Sequence, residues 1–292
     1  MPTVMATTPV EWVVQPFLDS VTMQRALGAG TFAAIACGLV GTWVVLRGMT
    51  FIGDALAHGV LPGLAVATIV GFSPTIGAFL SAGVMIGGIS VVGRRARLQE
   101  DAAIGLLFVG MLALGVLIIS RSRSFAGELT GFLFGGITSV TTGDLVLAAV
   151  VAAIVVVVVV VGYRAFLALT FNRDAAALMG MRPNWTHAVL MVLVTATIVA
   201  SFTTVGTLLV FALITAPAAA AVQLVRRVVW VLVTSVVFAE VSVVAGLLLS
   251  WHGRLAAGAA MAVCAVGIFL LALVVSELRR LLARRTGVAP AL

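Results

Sequence analysis

Apolar residues along this chain come in long unbroken runs, not in the alternating patterns of a water-soluble domain. The runs fall near 28–46, 51–70, 75–92, 103–119, 144–162, 187–204, 206–223, 228–250 and 255–276. Each is close to the roughly 20 residues that cross a hydrocarbon core of about 30 Å. In lipid a spanning segment must satisfy its own backbone N–H and C=O groups, so each run predicts a helix. The β-branched stretch Val155 to Val161 would favour a strand in water, but inside a long apolar run it reads as helix too. The boundary between the sixth and seventh runs is soft. The expected fold is an all-α integral membrane protein with eight or nine transmembrane helices plus short interfacial or re-entrant helices. Residues 1–27, with an amphipathic stretch at 9–24, predict an N-terminal interfacial segment. The membrane domain is expected over 28–276, and a basic cytoplasmic tail over 277–292. Residues 129–140 are apolar but too short and Gly-rich to span, which predicts a re-entrant or interfacial helix.

Composition agrees with the pattern. Of 292 residues, 62% are hydrophobic and 9% charged, with a mean hydropathy of +1.26. A soluble domain of this length needs a far more charged exterior. The net charge of +7 raises the question of nucleic acid. All 17 basic residues are arginines, however, and they cluster in the short gaps between apolar runs. That is a topology signal, and no nucleic-acid partner is expected. With nine spans and a cytoplasmic C-terminus, every arginine except Arg25, Arg121, Arg123 and Arg254 falls inside. The N-terminus then lies outside. Cys37 and Cys264 sit within apolar runs and predict core residues without a disulfide framework. The chain has no P-loop, no H-E-x-x-H and no G-x-S-x-G, so it carries no ATPase or familiar hydrolase chemistry of its own.

Ionisable residues inside a membrane are costly, and each is a functional candidate. Three stand out: Asp54 and His58 in the second run, and Glu240 in the eighth. Four residues apart, Asp54 and His58 share one helix face. A carboxylate oxygen and an imidazole nitrogen so placed suit zinc, manganese or iron better than calcium or magnesium. Two ligands do not close a site, so the rest must come from another helix, a second subunit or water. The alternatives are a first-turn acid for Asp54 and a histidine bonded to a neighbouring carbonyl for His58. Glu240 reads as a third ligand, a gate residue or a hydrogen bond between helices. Gly59, Pro62 and Gly63 predict close helix approach and a kink just past the histidine. The cytoplasmic loop 163–186 contains a short helix signal ended by Gly180 and Pro183.

The stretch from Leu46 to Gly63, with Asp54-Ala-Leu-Ala-His58 followed by Val60-Leu-Pro-Gly63, resembles the signature of the metal-ion class of ABC importer permeases. The family's usual wording has Ser where this chain has Ala57. The block from Val205 to Pro217, the Phe171-Asn-Arg-Asp174 segment with Gly180, and Gly246 to Ser250 are similar to it as well. The resemblance covers nearly the whole chain. It implies a permease subunit, not an enzyme, that carries Mn2+ or Zn2+, or Fe2+, across a prokaryotic cell membrane without a tightly bound cofactor. It also implies a second permease subunit, expected to be identical, two cytoplasmic ATPase subunits, and an extracytoplasmic metal-binding protein. By this likeness Asp54 and His58 map onto the membrane metal site, with Glu240 the weaker candidate. Segment 171–182 maps onto the coupling helix, with Asn172, Arg173, Asp174, Leu178 and Gly180 facing the ATPase. Arg121, Arg123 and Arg254 run against the charge rule on the outer face. They are expected either to pair with acidic residues of the binding protein or to reach lipid headgroups. The competing readings are a vitamin or siderophore permease of the same architecture, an intramembrane metalloenzyme built on Asp54, His58 and Glu240, and a regulatory membrane scaffold.

Overall fold

The computed structural model describes residues 9–96, 100–120, 140–171 and 180–285. Among them every regular element is a helix: α1 (Pro9–Asp19), α2 (Val21–Leu46), α3 (Phe51–Gly59), α4 (Leu61–Val70), α5 (Pro74–Ala96), α6 (Glu100–Ile119), α7 (Thr142–Phe171), α8 (Pro183–Val205), α9 (Thr207–Leu224), α10 (Val228–Gly253) and α11 (Ala257–Arg285). Among the described residues, eight segments are long and apolar enough to cross a membrane, with α3 and α4 counting as one. The shorter α9, apolar over Leu209–Leu224, packs against α2, α3, α8, α10 and α11. The soft boundary in the sequence is thus a one-residue break at Gly206, whose φ of 83° an L side chain rarely adopts.

Three boundaries differ from the hydropathy reading. Helix α2 starts at Val21 and not at residue 28, because Ser20 caps it by accepting the Met23 N–H at 3.3 Å. The polar first turns, with Thr22, Gln24 and Arg25, hide that start from an apolar count. Helix α11 continues past residue 276 to Arg285, with Arg280 donating to Glu277 at 2.8 Å, so the basic tail is helical that far. Helix α7 runs beyond 162 to Phe171 and includes the valine stretch. Residues 129–139, Arg121, Arg123, Asn172, Arg173, Asp174 and Leu178 lie outside the described residues.

Helix α2 is the central column, packed against α7, α8, α9 and α10. Between helices in lipid there is little hydrophobic drive, so close packing of small residues does the work. A Cβ at Gly38 would lie 2.9 Å from the Val236 backbone, and one at Gly41 would run into the Ile214 carbonyl. Ser235 of α10 donates to the Gly38 carbonyl at 3.0 Å. Cys37 is fully buried, and Trp43 packs with Tyr163 and Phe166 at ring-centroid distances of 5.8 and 5.6 Å. Outward faces carry large apolar side chains such as Val84, Val161 and Leu271, as a lipid-facing belt requires.

Candidate functional site

Asp54 and His58 lie on α3, a short helix bounded by two interruptions. Before it, the turn 47–50 closes through Gly48 N–H to Val45 O and Met49 N–H to Val44 O, both 3.0 Å, with Gly48 at φ 69°. After it, the helix is interrupted at Val60. Pro62 cannot donate the N–H that an uninterrupted helix would aim at the His58 carbonyl. Ser81 of α5 instead donates its hydroxyl to the carbonyl of Gly59 at 2.7 Å. Gly59 faces Met85, and Gly63 lies against the Gly77 backbone so closely that a Cβ there would meet the Gly77 carbonyl. The helix is therefore interrupted just past the histidine, and α5 packs closely against the interruption.

The pair's geometry defines its chemistry. His58 Nδ1 lies 3.3 Å from Asp54 Oδ1 and 3.1 Å from the Asp54 carbonyl oxygen. In the neutral ring, the nitrogen facing these two acceptors carries the hydrogen, which leaves the lone pair on Nε2. A histidine that donates one N–H to a carboxylate and offers its other nitrogen outward is the usual arrangement around a metal-ligating imidazole. Asp54 retains Oδ2 as an oxygen donor. The side chains are 18% exposed for His58 and 29% for Asp54, so the pair is neither sealed in the core nor laid out on the surface. Phe108 of α6 stands edge-on to the His58 ring at 5.4 Å and fixes its plane.

Glu240 stands elsewhere. It sits on α10 against α2, where Thr31 donates to its Oε1 at 2.7 Å. Its Oε2 is buried without a hydrogen-bond partner among the described residues. Among those residues no three of His, Cys, Asp and Glu gather where a metal ion would fit, so Glu240 does not join the Asp54–His58 pair within one chain. In this conformation it links two helices. Arg254 ends α10 in a left-handed conformation, φ 52°, and is exposed. Gly180, at φ 75°, precedes Pro183 at the start of α8.

Two relationships escaped the sequence reading. One is Ser81 to Gly59. Its only trace is an isolated hydroxyl within an apolar run. The other joins Arg47, at the end of α2, to His187 in the first turns of α8, with Arg47 Nη1 2.9 Å from His187 Nδ1. Their contact puts both residues at one end of the helix bundle, the end at which the arginine distribution predicts Arg47.

The profile of the ABC 3 transport family matches residues 19–276. The chain is 35% identical over 250 residues to the manganese transport system membrane protein MntC of Listeria monocytogenes, covering 86% of this chain and 89% of that one. It is 30% identical over 257 residues to the chelated iron transport system membrane protein YfeD of Yersinia pestis, covering 88% and 86%. Among solved structures it resembles PsaBC from Streptococcus pneumoniae in complex with Fab. The TM-score is 0.81 and the identity 30%, over 91% of this chain and 95% of that one. With eight membrane-length apolar segments among its described residues and a family match over residues 19–276, the chain is a multi-pass plasma-membrane protein of the ABC 3 transport family.

Proposed function

We propose that this chain is the permease subunit of an ATP-driven importer for a divalent transition-metal ion, Mn2+ first and Zn2+ or Fe2+ next. The observation that carries the reading is the Asp54–His58 pair, with its carboxylate-oriented imidazole and free Nε2 beside a helix break. Relatives whose names specify manganese and chelated iron support the choice of cargo. A transport site must release what it binds, so two protein donors completed by water, or by a second copy of the chain, suit the task better than a closed tetrahedron. Energy comes from cytoplasmic ATPase subunits that dock on segment 171–182. The ion is delivered by an extracytoplasmic metal-binding protein. Two permease chains, taken to be identical, enclose the path. The chain itself catalyses no reaction.

The test is uptake by the complete complex in liposomes, with manganese, zinc and ferrous iron offered in turn. Saturable, ATP-dependent manganese uptake that zinc or iron competes for is the expected result. Uptake of an intact siderophore or vitamin, without uptake of the free ions, overturns it.

A further inference from the structure

We infer that Arg47 and His187 are positioning residues that tie the start of α8 to the helix bearing Asp54 and His58. Through them a displacement of the cytoplasmic segment before Pro183 is delivered to the candidate metal site. The inference rests on the reading that segment 171–182 faces the ATPase.

The contact spans 140 residues of sequence at 2.9 Å. A guanidinium only donates, so His187 Nδ1 is the acceptor and the contact has one direction and one register. On one side, His187 sits in the first turns of α8. That helix opens at Pro183, directly after the loop, and its first turn is closed by the Thr186 N–H to the Arg182 carbonyl at 3.0 Å. A proline start leaves little slack between loop and helix. On the other side, Arg47 caps α2 through its N–H to the Trp43 carbonyl at 3.2 Å. The turn that follows is closed by successive backbone bonds, ending with the Ile52 N–H to Met49 O at 3.1 Å, and Met49 is buried. Arg47 is thus fixed to the first turn of α3.

Helix α3 is itself a separate piece. It ends at Val60, where Pro62 breaks the hydrogen-bond run, and it packs against α5, α6, α8 and α9 rather than continuing stiffly into α4. A short rigid helix held at its foot by Arg47 and interrupted at its head just past His58 changes its tilt when the foot moves. Tilting it shifts Asp54 and His58 together against Phe108. The ion's surroundings then change without either ligand leaving the other.

The experiment uses the complete permease–ATPase–binding-protein complex in liposomes and reads ions transported per ATP hydrolysed. His187→Ala and Arg47→Gln are each expected to lower that ratio about fivefold or more, with the assembled complex recovered in ordinary yield. The loss in the double variant is expected to fall short of the product of the two single losses, because both single variants remove one shared link. His187→Asn, whose amide oxygen stands as many bonds from Cβ as Nδ1 does, is expected to restore most of the ratio. An unchanged ratio in the single variants overturns the inference. So do additive losses in the double variant, or a parallel fall of transport and hydrolysis with loss of assembled complex. The underlying reading is tested separately by Ala176→Pro. If that variant leaves ATPase binding and transport intact, segment 171–182 is not the docking element, whatever the Arg47 and His187 variants do.

Discussion

Ser81 and Gly59 sit on neighbouring helices, and the hydroxyl of the first closes on the carbonyl of the second at 2.7 Å, one residue past His58. A helix break in lipid exposes backbone groups that water cannot reach, and such breaks persist only where protein atoms satisfy them. Ser81→Ala removes that partner. The expected cost is about 1–3 kcal/mol, the penalty for a buried acceptor left unpaired. Thermal unfolding of the purified chain in detergent measures it. A midpoint identical to the parent would mean that another donor closes the break.

The close approach of Gly63 to Gly77 makes a sharper prediction. A Cβ at Gly63 meets backbone rather than a flexible side-chain end, so α4 and α5 must separate. Gly63→Ala is expected to destabilise by about 1–3 kcal/mol, the usual range for overpacking. Gly83 lies on the same α5 with open space around its would-be Cβ, which makes Gly83→Ala the matched control. Equal behaviour of the two variants would contradict the packing described here.

The metal reading predicts loss of transport without loss of fold. Asp54→Ala and His58→Ala are each expected to reduce manganese uptake roughly 10–100-fold or more, the range seen when a metal ligand or its orienting partner is removed. Asp54→Asn separates two roles. The amide oxygen still accepts from Nδ1 and orients the ring, but the charge that attracts a cation is gone. Uptake by Asp54→Asn near the parent level would reduce Asp54 to an orienting residue. Full uptake by the Asp54→Ala, His58→Ala double variant would remove the pair from the path altogether.

Arg121, Arg123 and Arg254, which the charge pattern predicts on the outer face, are expected to steer the delivering protein. Charges at an interface rim act mainly on association rate and on its salt dependence. The triple Arg→Gln variant should bind the loaded binding protein more slowly at low ionic strength and about equally at high ionic strength, as read by surface-immobilised kinetics. An unchanged rate at low salt would leave headgroup contact as their role.

Much of the architecture was legible because bilayer thickness dictates span length, and nine apolar runs translate almost directly into helices. The break past His58 was legible for a similar reason, since Gly59, Pro62 and Gly63 announce it locally. The start of α2 was hidden because Thr22, Gln24 and Arg25 occupy helical positions without being apolar. What the sequence could not give was pairing at a distance. Thr31 and Glu240 are 209 residues apart, and Arg47 and His187 are 140 apart. Nothing in either local pattern names the other partner. The same holds for the tautomer of His58, which depends on which nitrogen turns toward Asp54 and not on the spacing alone.

The position of α2 also has a consequence for biogenesis. Synthesis runs from N- to C-terminus, so the helix that ends as the central column enters the membrane before the helices that come to surround it. Its neighbours α7, α8, α9 and α10 follow only in the second half of the chain. Until they arrive, α2 must wait in lipid with its glycine face uncovered. Its one fully buried hydroxyl is already provided for, because Thr42 donates to the Gly38 carbonyl of its own helix at 2.8 Å. The part-buried Thr31 hydroxyl must wait longer, its acceptor on Glu240 being synthesised far later. Assembly of this protein is therefore a late closure of newly inserted helices around an old one, and truncation after α6 should leave α2 inserted yet unclasped.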